Sequence, residues 1–430
     1  MSTPRDGYSD QSFLRDNTAL AFELERVYPA LERRRQVGSL RKLTLFHTEN
    51  AVDFSSNDYL GLAQSHNQQK MVEKAYESLP TPLLGATGSR LLTGDSWYAQ
   101  KLETKLAKWH NRKAALLCNS GYDANLAVLS CLGLDSIVIM DELCHNSIQM
   151  GVRLSKNCIV KKFLHNNLND LRRILTEKNC LSSAKRQILV VVESVYSMDG
   201  DMAPLKGVLQ TAKQHQASVI VDEAHGLGVF GQNGMGVLAE LGLENHPALL
   251  CSVHTFGKAA GCHGAVVCSS LAIKTYLYNY GRPIVYSTSL PLHSLVAITC
   301  SYQSMAGVIG KRLRKQMCGN IEFFRINMGS MMKGIKSCIA LVPSKSPIQA
   351  MIVPGNHECI EFCDTLWNKS NNRIRLYPIR SPTVPKGQER VRIILHAHNC
   401  ESDIFLLIGL IRATLEKMGY SKDKRTRSRL

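Results

Sequence analysis

HTFGKAAG (254–261) follows directly on ALLCSV (248–253), and these two stretches together decide the fold. ALLCSV is a continuous apolar run of strand length. The lysine after it, Lys258, sits among Thr255, Gly257, Ala259, Ala260 and Gly261. Lysine is rarely buried, because its ammonium is strongly hydrated. A lysine at the end of a core strand, among residues with almost no side chain, calls for a chemical role.

Working outward, the runs AALLCN (114–119), SIVIMD (136–141), QILVVVES (187–194), ASVIVDEA (217–224) and GAVVCSS (264–270) repeat the pattern. Short continuous runs rich in Val and Ile fit strands covered on both faces. Helical patterns such as WYAQKLETKLAKWH (97–110) separate most of them, so the expected architecture is an α/β fold with a mostly parallel sheet. GAVVCSS comes too soon after ALLCSV for a crossover helix and is expected to run antiparallel. Residues 1–64 read as an N-terminal segment, with a helix over AFELERVYPALERRRQV interrupted near Pro29 and a turn-rich loop at DFSSNDYLGL (53–62). Residues 65–293 read as the large domain. Composition shifts near residue 300, where a long helical stretch (294–317) opens a smaller C-terminal α+β domain, residues 294–420. It closes with RVRIILHAHN (390–399) and the amphipathic FLLIGLIRATLEKM (405–418), and a basic tail fills 421–430.

A chain of 430 residues with 44% hydrophobic and 20% charged content has ample core without disulfide or metal staples. Its 14 cysteines are scattered, its apolar runs are too short to span a bilayer, and MSTPRDGYSD is too polar for a secretory signal. The expectation is a reduced, intracellular, soluble protein with no membrane partner. The net charge of +17 gathers at 32–42, 311–315 and 422–429, without interleaved aromatics. That excludes a single-strand nucleic-acid platform and leaves a solvated basic face or a polyanionic small molecule such as a coenzyme A thioester. His396, His398 and Cys400 alternate on one segment, a pattern too sparse to assign a metal. The terminal Ser428-Arg429-Leu430 resembles a peroxisomal address of the S-K-L type. The expected location is the peroxisome through its import receptor, with the cytoplasm as the alternative.

Ligands of a parallel α/β sheet gather beyond the carboxyl ends of its strands. The residues there are Ser120, Gly121 and Tyr122; His145; Glu193 followed by Tyr196 and Ser197; Asp222 and His225; and Thr255 and Lys258. Singly, each has a plain structural reading: an acid can cap a helix, a histidine can be a satisfied core residue. Together at successive strand ends they compose one chemistry. A lysine of lowered pKa forms a Schiff base with an aldehyde. Pyridoxal 5'-phosphate needs that lysine, a carboxylate for its ring nitrogen, a flat group against its ring, and donors for its phosphate. Lys258, Asp222, His145 and the set Ser120, Gly121, Tyr122 and Thr255 supply one of each.

The chain also resembles the α-oxoamine synthases, pyridoxal-phosphate enzymes of the aspartate-aminotransferase fold (fold type I). The resemblance runs from about Arg33 to the final helix. It rests on DFSSNDYLGL (53–62), GATGSRLLTG (85–94), NSGYDAN (119–125), ESVYSMDGDMAPL (193–205), VDEAHGLGVFGQNGMG (221–236), TFGKAAGCHGA (255–265), YSTSLP (286–291) and IRSPTVPKGQERVRI (379–393). It implies a seven-stranded, mostly parallel sheet in the large domain. It implies that Lys258 holds the cofactor and moves the substrate's Cα proton, that Asp222 pairs with the pyridine nitrogen, that His145 stacks on the ring and that His225 contacts its phenolate oxygen. Gly121, Tyr122 and Thr255 would hold the phosphate region, with Ser197 nearby. Ser287 or Thr288 would reach into the site of a second subunit, which implies a homodimer with shared sites. Asn57 and Arg380 would grip the amino-acid carboxylate, with Thr383 close, and Arg33, or Arg34 or Arg35, would meet the acyl substrate. The reaction implied is decarboxylative condensation of an amino acid with an acyl-CoA. The motifs are most similar to the branch that joins L-alanine to pimeloyl-CoA in biotin synthesis. The glycine and serine branches are alternatives, and a non-catalytic scaffold subunit is disfavoured by the presence of Lys258. Ala259-Ala260, Cys262-His263 and Ser381 depart from the family pattern.

Overall fold

The computed structural model describes residues 18–41, 43, 51–177 and 186–422. The targeting tripeptide expected at 428–430 lies outside the described residues. Seven strands form the main sheet: β1 (Ala114–Cys118), β2 (Ile137–Asp141), β3 (Ile159–Phe163), β4 (Ile188–Glu193), β5 (Ser218–Asp222), β6 (Leu249–Thr255) and β7 (Ala265–Ser269). Their order is β1-β7-β6-β5-β4-β2-β3. Only β7 runs antiparallel to its neighbours, pairing Cys118 with Ala265 on one side and Thr255 with Ala265 on the other. The nine residues between β6 and β7 are too few for a helix crossover, as the sequence implied.

Six of the seven strands were visible as apolar runs, and all but one residue of β4, one of β5 and two of β6 are buried. The seventh, β3, was hidden by its composition. IVKKF lies at the sheet edge with only Phe163 fully buried, so lysines are tolerated and the apolar signal is lost. Successive residues serve opposite faces: Ala115 and Leu117 join one core cluster, Leu116 and Cys118 the other. Serine or asparagine begins several of the covering helices. Ser96, Ser120, Asn167 and Ser270 each accept a backbone N–H of the first turn.

A second sheet lies in the C-terminal part. Strands β8 (Ala340–Leu341), β9 (Ile348–Ile352), β10 (Tyr377–Ile379) and β11 (Arg390–Ile394) pair antiparallel in the order β10-β11-β9-β8. The helices Asn356–Lys369 and Glu401–Lys417 belong to the same part of the chain. The helical stretch expected at 294–317 is two helices, Leu292–Ala306 and Val308–Met332, parted at Gly307, whose extended backbone breaks the helical ladder. Near the N-terminus the helix does not stop at Pro29. It widens to a π turn over Glu23–Val27, with Tyr28 N–H bonded to the Glu23 carbonyl, and resumes as Tyr28–Gln36. Pro29 has no N–H to give, which is where such a widening is tolerated.

DFSSNDYLGL joins the two halves. Asp53 Oδ1 accepts the N–H groups of Ser55 and Ser56 at 2.8 and 2.9 Å, and the Ile394 and Ala397 N–H groups bond to the carbonyls of Phe54 and Tyr59. The loop is thereby fixed between the end of β11 and the carboxyl rim of the main sheet. No helix of the described residues is long and apolar enough to cross a membrane.

Candidate active site

Ser120, directly after β1, caps the helix Gly121–Leu132; its Oγ accepts the Asp123 N–H at 3.0 Å. The first N–H groups of this helix point out of the rim, where helix geometry favours an anion. A Cβ on Gly121 would come within 3.1 Å of the Thr255 Cβ, so any side chain here would crowd this turn against the end of β6. Five residues after Ser120, Asn125 reaches back beneath the rim and donates to Asp222 Oδ2 at 2.7 Å. Ala224 N–H holds the other carboxylate oxygen at 2.8 Å. Asp222 is thus a buried, fixed anion at the end of β5.

His145 ends the loop after β2. Its N–H donates to Glu193 Oε1 at 2.6 Å, and its Nδ1 lies 2.7 Å from Ser147 Oγ. Burial lowers the pKa of His145 despite Asp222, and Lys258 lowers it further, so the ring is a neutral plate at neutral pH. Tyr122 stands edge-on to it with ring centroids 6.4 Å apart. Glu193 is held well above the usual carboxylate range by burial and by the neighbouring Asp222.

Lys258 Nζ lies 2.7 Å from His225 Nε2, and His225 Nδ1 lies 2.6 Å from the Tyr59 hydroxyl. Burial lowers the Lys258 pKa to about 8; Asp222 and Glu193 oppose the shift and Arg392 adds to it. His225 is pushed well below its ordinary value by burial and by the cations Lys258 and Arg392. It is therefore neutral, with one ring nitrogen accepting and the other donating.

Three residues of this centre escaped the sequence reading: Asn125, Tyr59 and Arg392. Asn125 and Tyr59 sit inside quoted motifs, one helical turn past Gly121 and two residues past Asn57. Arg392 is the more consequential. Asn57 and Arg380 were expected to act together, but Asn57 Oδ1 accepts from Arg392 and from Tyr59, the latter at 3.2 Å. Arg380 instead donates to the Gly38 carbonyl. The cause is the strand: Arg392 lies within β11, which ends against the DFSSNDYLGL loop, whereas Arg380 lies just past β10. The available signal was a second arginine, two residues after Arg390, in a strand whose other residues are apolar.

Arg380 and Thr383 line a different cavity of about 260 Å³ with Arg34, Ser39, Arg41 and Met198. Of the three arginines considered for the acyl substrate, Arg34 is the one placed there; Arg33 and Arg35 are exposed on the same helix. Ser197 is partly exposed on the loop after β4, next to Met198. Ser287 borders a small cavity with Arg90, Asn119 and Asp123, and the Thr288 carbonyl accepts from Asn119 at 2.7 Å. Within one chain Ser287 belongs to that cavity rather than to the Lys258 centre. His396 is committed to Ser56, its Nε2 lying 3.0 Å from the Ser56 carbonyl.

A buried amine of lowered pKa, a buried carboxylate fixed by two hydrogen bonds, a neutral imidazole plate and a helix start at Gly121 fit pyridoxal phosphate in number and kind. The fold and this donor set define a lysine-anchored pyridoxal-phosphate enzyme with a large and a small sheet domain. Residues 49–404 match the family described as aminotransferase class I and II. The 8-amino-7-oxononanoate synthase of Emericella nidulans is 35% identical over 404 residues, 91% of this chain and 96% of its own. The solved serine palmitoyltransferase of S. paucimobilis, bound to pyridoxal phosphate and myriocin, superposes with a TM-score of 0.79 at 25% identity, covering 93% of this chain and 99% of its own. The solved 8-amino-7-oxononanoate synthase of Francisella tularensis gives 0.70 at 26% identity, covering 86% and 100%. The chain belongs to the class I and II aminotransferase family, in its α-oxoamine synthase branch, and its cofactor is pyridoxal phosphate.

Proposed function

We propose that the protein condenses L-alanine with pimeloyl-CoA, releasing CoA and carbon dioxide and leaving 8-amino-7-oxononanoate for biotin synthesis. The observation that carries this reading is the pairing of two cationic places on one rim. Arg392 with Asn57 lies by Lys258, and Arg34, Arg41 and Arg380 line a second cavity that also takes in Met198, on the loop after β4. One suits the carboxylate of a small amino acid, the other an acyl thioester carrying further negative charge. Curated relatives bearing the 8-amino-7-oxononanoate synthase name support the choice, at 32 to 36% identity over most of the chain.

When bound, pyridoxal phosphate supplies the aldehyde that takes up an amine and the electron sink for charge developing at Cα. The protein's own groups do the rest. Lys258 would hold the cofactor, and its amine, lowered to a pKa of about 8, would take the Cα proton on Nζ. Asp222, fixed by Asn125 and Ala224, would hold the cofactor's pyridine nitrogen in its charged form. His145 would lie flat against the cofactor ring, and His225 would donate to its phenolate oxygen. Arg392 and Asn57 hold the amino-acid carboxylate until it leaves as carbon dioxide.

Two further elements of the reading concern the whole cell and the assembly. Ser287 or Thr288 reaches into a second subunit's site, so the working unit is a homodimer. The family likeness and the exposed apolar side chains of Leu84, Leu92 and Tyr286 support this. Ser428-Arg429-Leu430 delivers the protein to peroxisomes, supported by the tripeptide itself on a basic tail.

The deciding experiment is thiol release from pimeloyl-CoA with L-alanine, beside glycine and serine and beside acetyl-, succinyl- and palmitoyl-CoA. Release confined to alanine with pimeloyl-CoA establishes the reading. Release with another pair assigns a different α-oxoamine synthase, and none from a yellow, cofactor-loaded protein rejects condensation. Light scattering at twice the chain mass, and loss of punctate localisation when the last three residues are removed, test the dimer and the address.

A further inference from the structure

His165 lies in the loop after the edge strand β3, which contributes nothing to the Lys258 centre. Its Nδ1 is 2.9 Å from Asp141 Oδ1, and its Nε2 is 2.7 Å from Asp201 Oδ2. A neutral imidazole has one donor and one acceptor nitrogen. Asn166 Nδ2 also lies 3.2 Å from Nε2, but it donates to the same Asp201 oxygen at 2.6 Å, so each ring nitrogen keeps a carboxylate to donate to, and the ring is an imidazolium. We propose that His165 is a positioning residue, a charged clamp that ties the loop carrying His145 to the loop carrying Met198 and so holds the acyl-CoA cavity in shape.

The two carboxylates stand at the roots of those loops. Asp141 ends β2; its Oδ1 also accepts the Leu143 N–H at 2.9 Å and its Oδ2 the Asn166 N–H at 2.8 Å, four residues before His145. Asp201 closes a tight turn after β4. The Tyr196 N–H donates to its carbonyl at 3.0 Å, and the Gly200 N–H to the Tyr196 carbonyl at 2.9 Å. That turn holds Ser197 and Met198, and Met198 lines the cavity of Arg34, Arg41 and Arg380. The far side of the turn is fastened to the C-terminal part through Asp199 and Arg390. His165 fastens the near side.

The groups facing His165 are anionic or neutral. Asp141 and Asp201 flank the ring, and Tyr196 meets it edge-on, with centroids 4.4 Å apart. Glu142 accepts the His165 backbone N–H at 2.9 Å, and Asp170 accepts that of Leu164 at 2.8 Å. Burial by itself would lower the pKa of His165, but the hydrogen bonds and charges of Asp141 and Asp201 outweigh it and raise the value to about 9. The clamp is therefore complete below the ordinary histidine value and is lost as pH rises through about 9.

The inference rests on the acyl-CoA reading for its functional half alone, so the test has two arms. In the first, nitrogen-15 NMR of histidine-labelled holoenzyme reads the ring directly. His165, assigned through His165→Gln, should show two N–H groups at pH 7.5, and Asp201→Asn should move its titration to lower pH. A single N–H at pH 7.5 overturns the clamp, whatever the protein's substrates. In the second, the affinity of the holoenzyme for pimeloyl-CoA is measured against pH without amino acid. The parent should lose affinity as pH passes about 9. His165→Gln should bind weakly and without that step, by at least about tenfold, the scale of one charge-assisted hydrogen bond. An unchanged affinity and pH course in His165→Gln overturns the positioning role. If the parent binds no pimeloyl-CoA at any pH, the substrate assignment has failed. Amide exchange over 194–202 then judges the clamp: it should quicken in His165→Gln, and unchanged protection there overturns it.

Discussion

Lys258 Nζ and His225 Nε2 are 2.7 Å apart, and this contact sets the direction of every hydrogen bond behind it. His225 is neutral, because burial and two nearby cations disfavour its charge. Facing an amine that donates, Nε2 accepts, so Nδ1 carries the proton and donates to the Tyr59 oxygen. The Tyr59 hydroxyl then donates to Asn57 Oδ1, which also receives Arg392. Four side chains from three parts of the chain are oriented by one proton assignment.

Tyr59→Phe tests that orientation. The variant leaves His225 Nδ1 and Asn57 each short of a partner in a buried setting. The expected cost is about 1–3 kcal/mol, read as a lowered urea midpoint. Tyr59 is fully buried, and removing one oxygen creates almost no cavity, so a loss of this size reports the hydrogen bonds. An unchanged midpoint would mean that water replaces the hydroxyl.

The ionisation of Lys258 can be read by cofactor capture. Only the neutral amine attacks an aldehyde, so the rate at which cofactor-stripped protein takes up pyridoxal phosphate should rise with pH to a midpoint near the Lys258 value of about 8. Arg392 lowers that value, so Arg392→Leu should shift the midpoint upward. A shift downward, or none, would place Arg392 out of electrical contact with Lys258.

Much of this centre could be read from the chain, and the reason is geometric. A parallel sheet delivers whatever follows each strand to one rim, so Ser120, His145, Asp222 and Lys258 could be listed together before any coordinates. What stayed hidden were groups whose strand gives no such rule. Arg392 lies inside an antiparallel strand of the smaller sheet, where alternation alone does not say which side faces the rim. Arg380, in the more familiar-looking motif, drew the assignment instead. The edge strand β3 was missed for a related reason: with few of its side chains buried, IVKKF carries no apolar run.

The two cationic places should separate kinetically. Arg392→Leu removes the partner of Asn57 beside Lys258 and should raise KM for L-alanine by about 10- to 100-fold, the range of a hydrogen bond to a charged group. Arg34→Ala opens the other cavity and should raise KM for pimeloyl-CoA by roughly tenfold while leaving that for alanine near the parent value. If Arg34→Ala affects alanine equally, the two places are one site and the assignment of Arg380 and Arg34 to the acyl side is wrong.

The last prediction concerns a carboxylate well away from Lys258. Glu103, only 2% exposed, receives Arg90, the Lys274 ammonium at 2.6 Å and the Leu117 N–H at 2.9 Å. Glu103→Ala strands the Lys274 ammonium and a strand amide and leaves Arg90 with Asp95 alone, and removing one member of a buried ion group costs about 3–5 kcal/mol. Glu103→Gln should cost less, because its carbonyl oxygen can still accept the Leu117 N–H. The position also bears on the cofactor. Leu117 is the fourth residue of β1, three before the Ser120 cap, so a loosened strand moves the helix start that faces the phosphate. Glu103→Ala should therefore weaken pyridoxal-phosphate binding as well as lower the urea midpoint of the cofactor-free protein. A lowered midpoint with cofactor affinity intact would show that the strand end is held by β7 and the Thr255 contact instead.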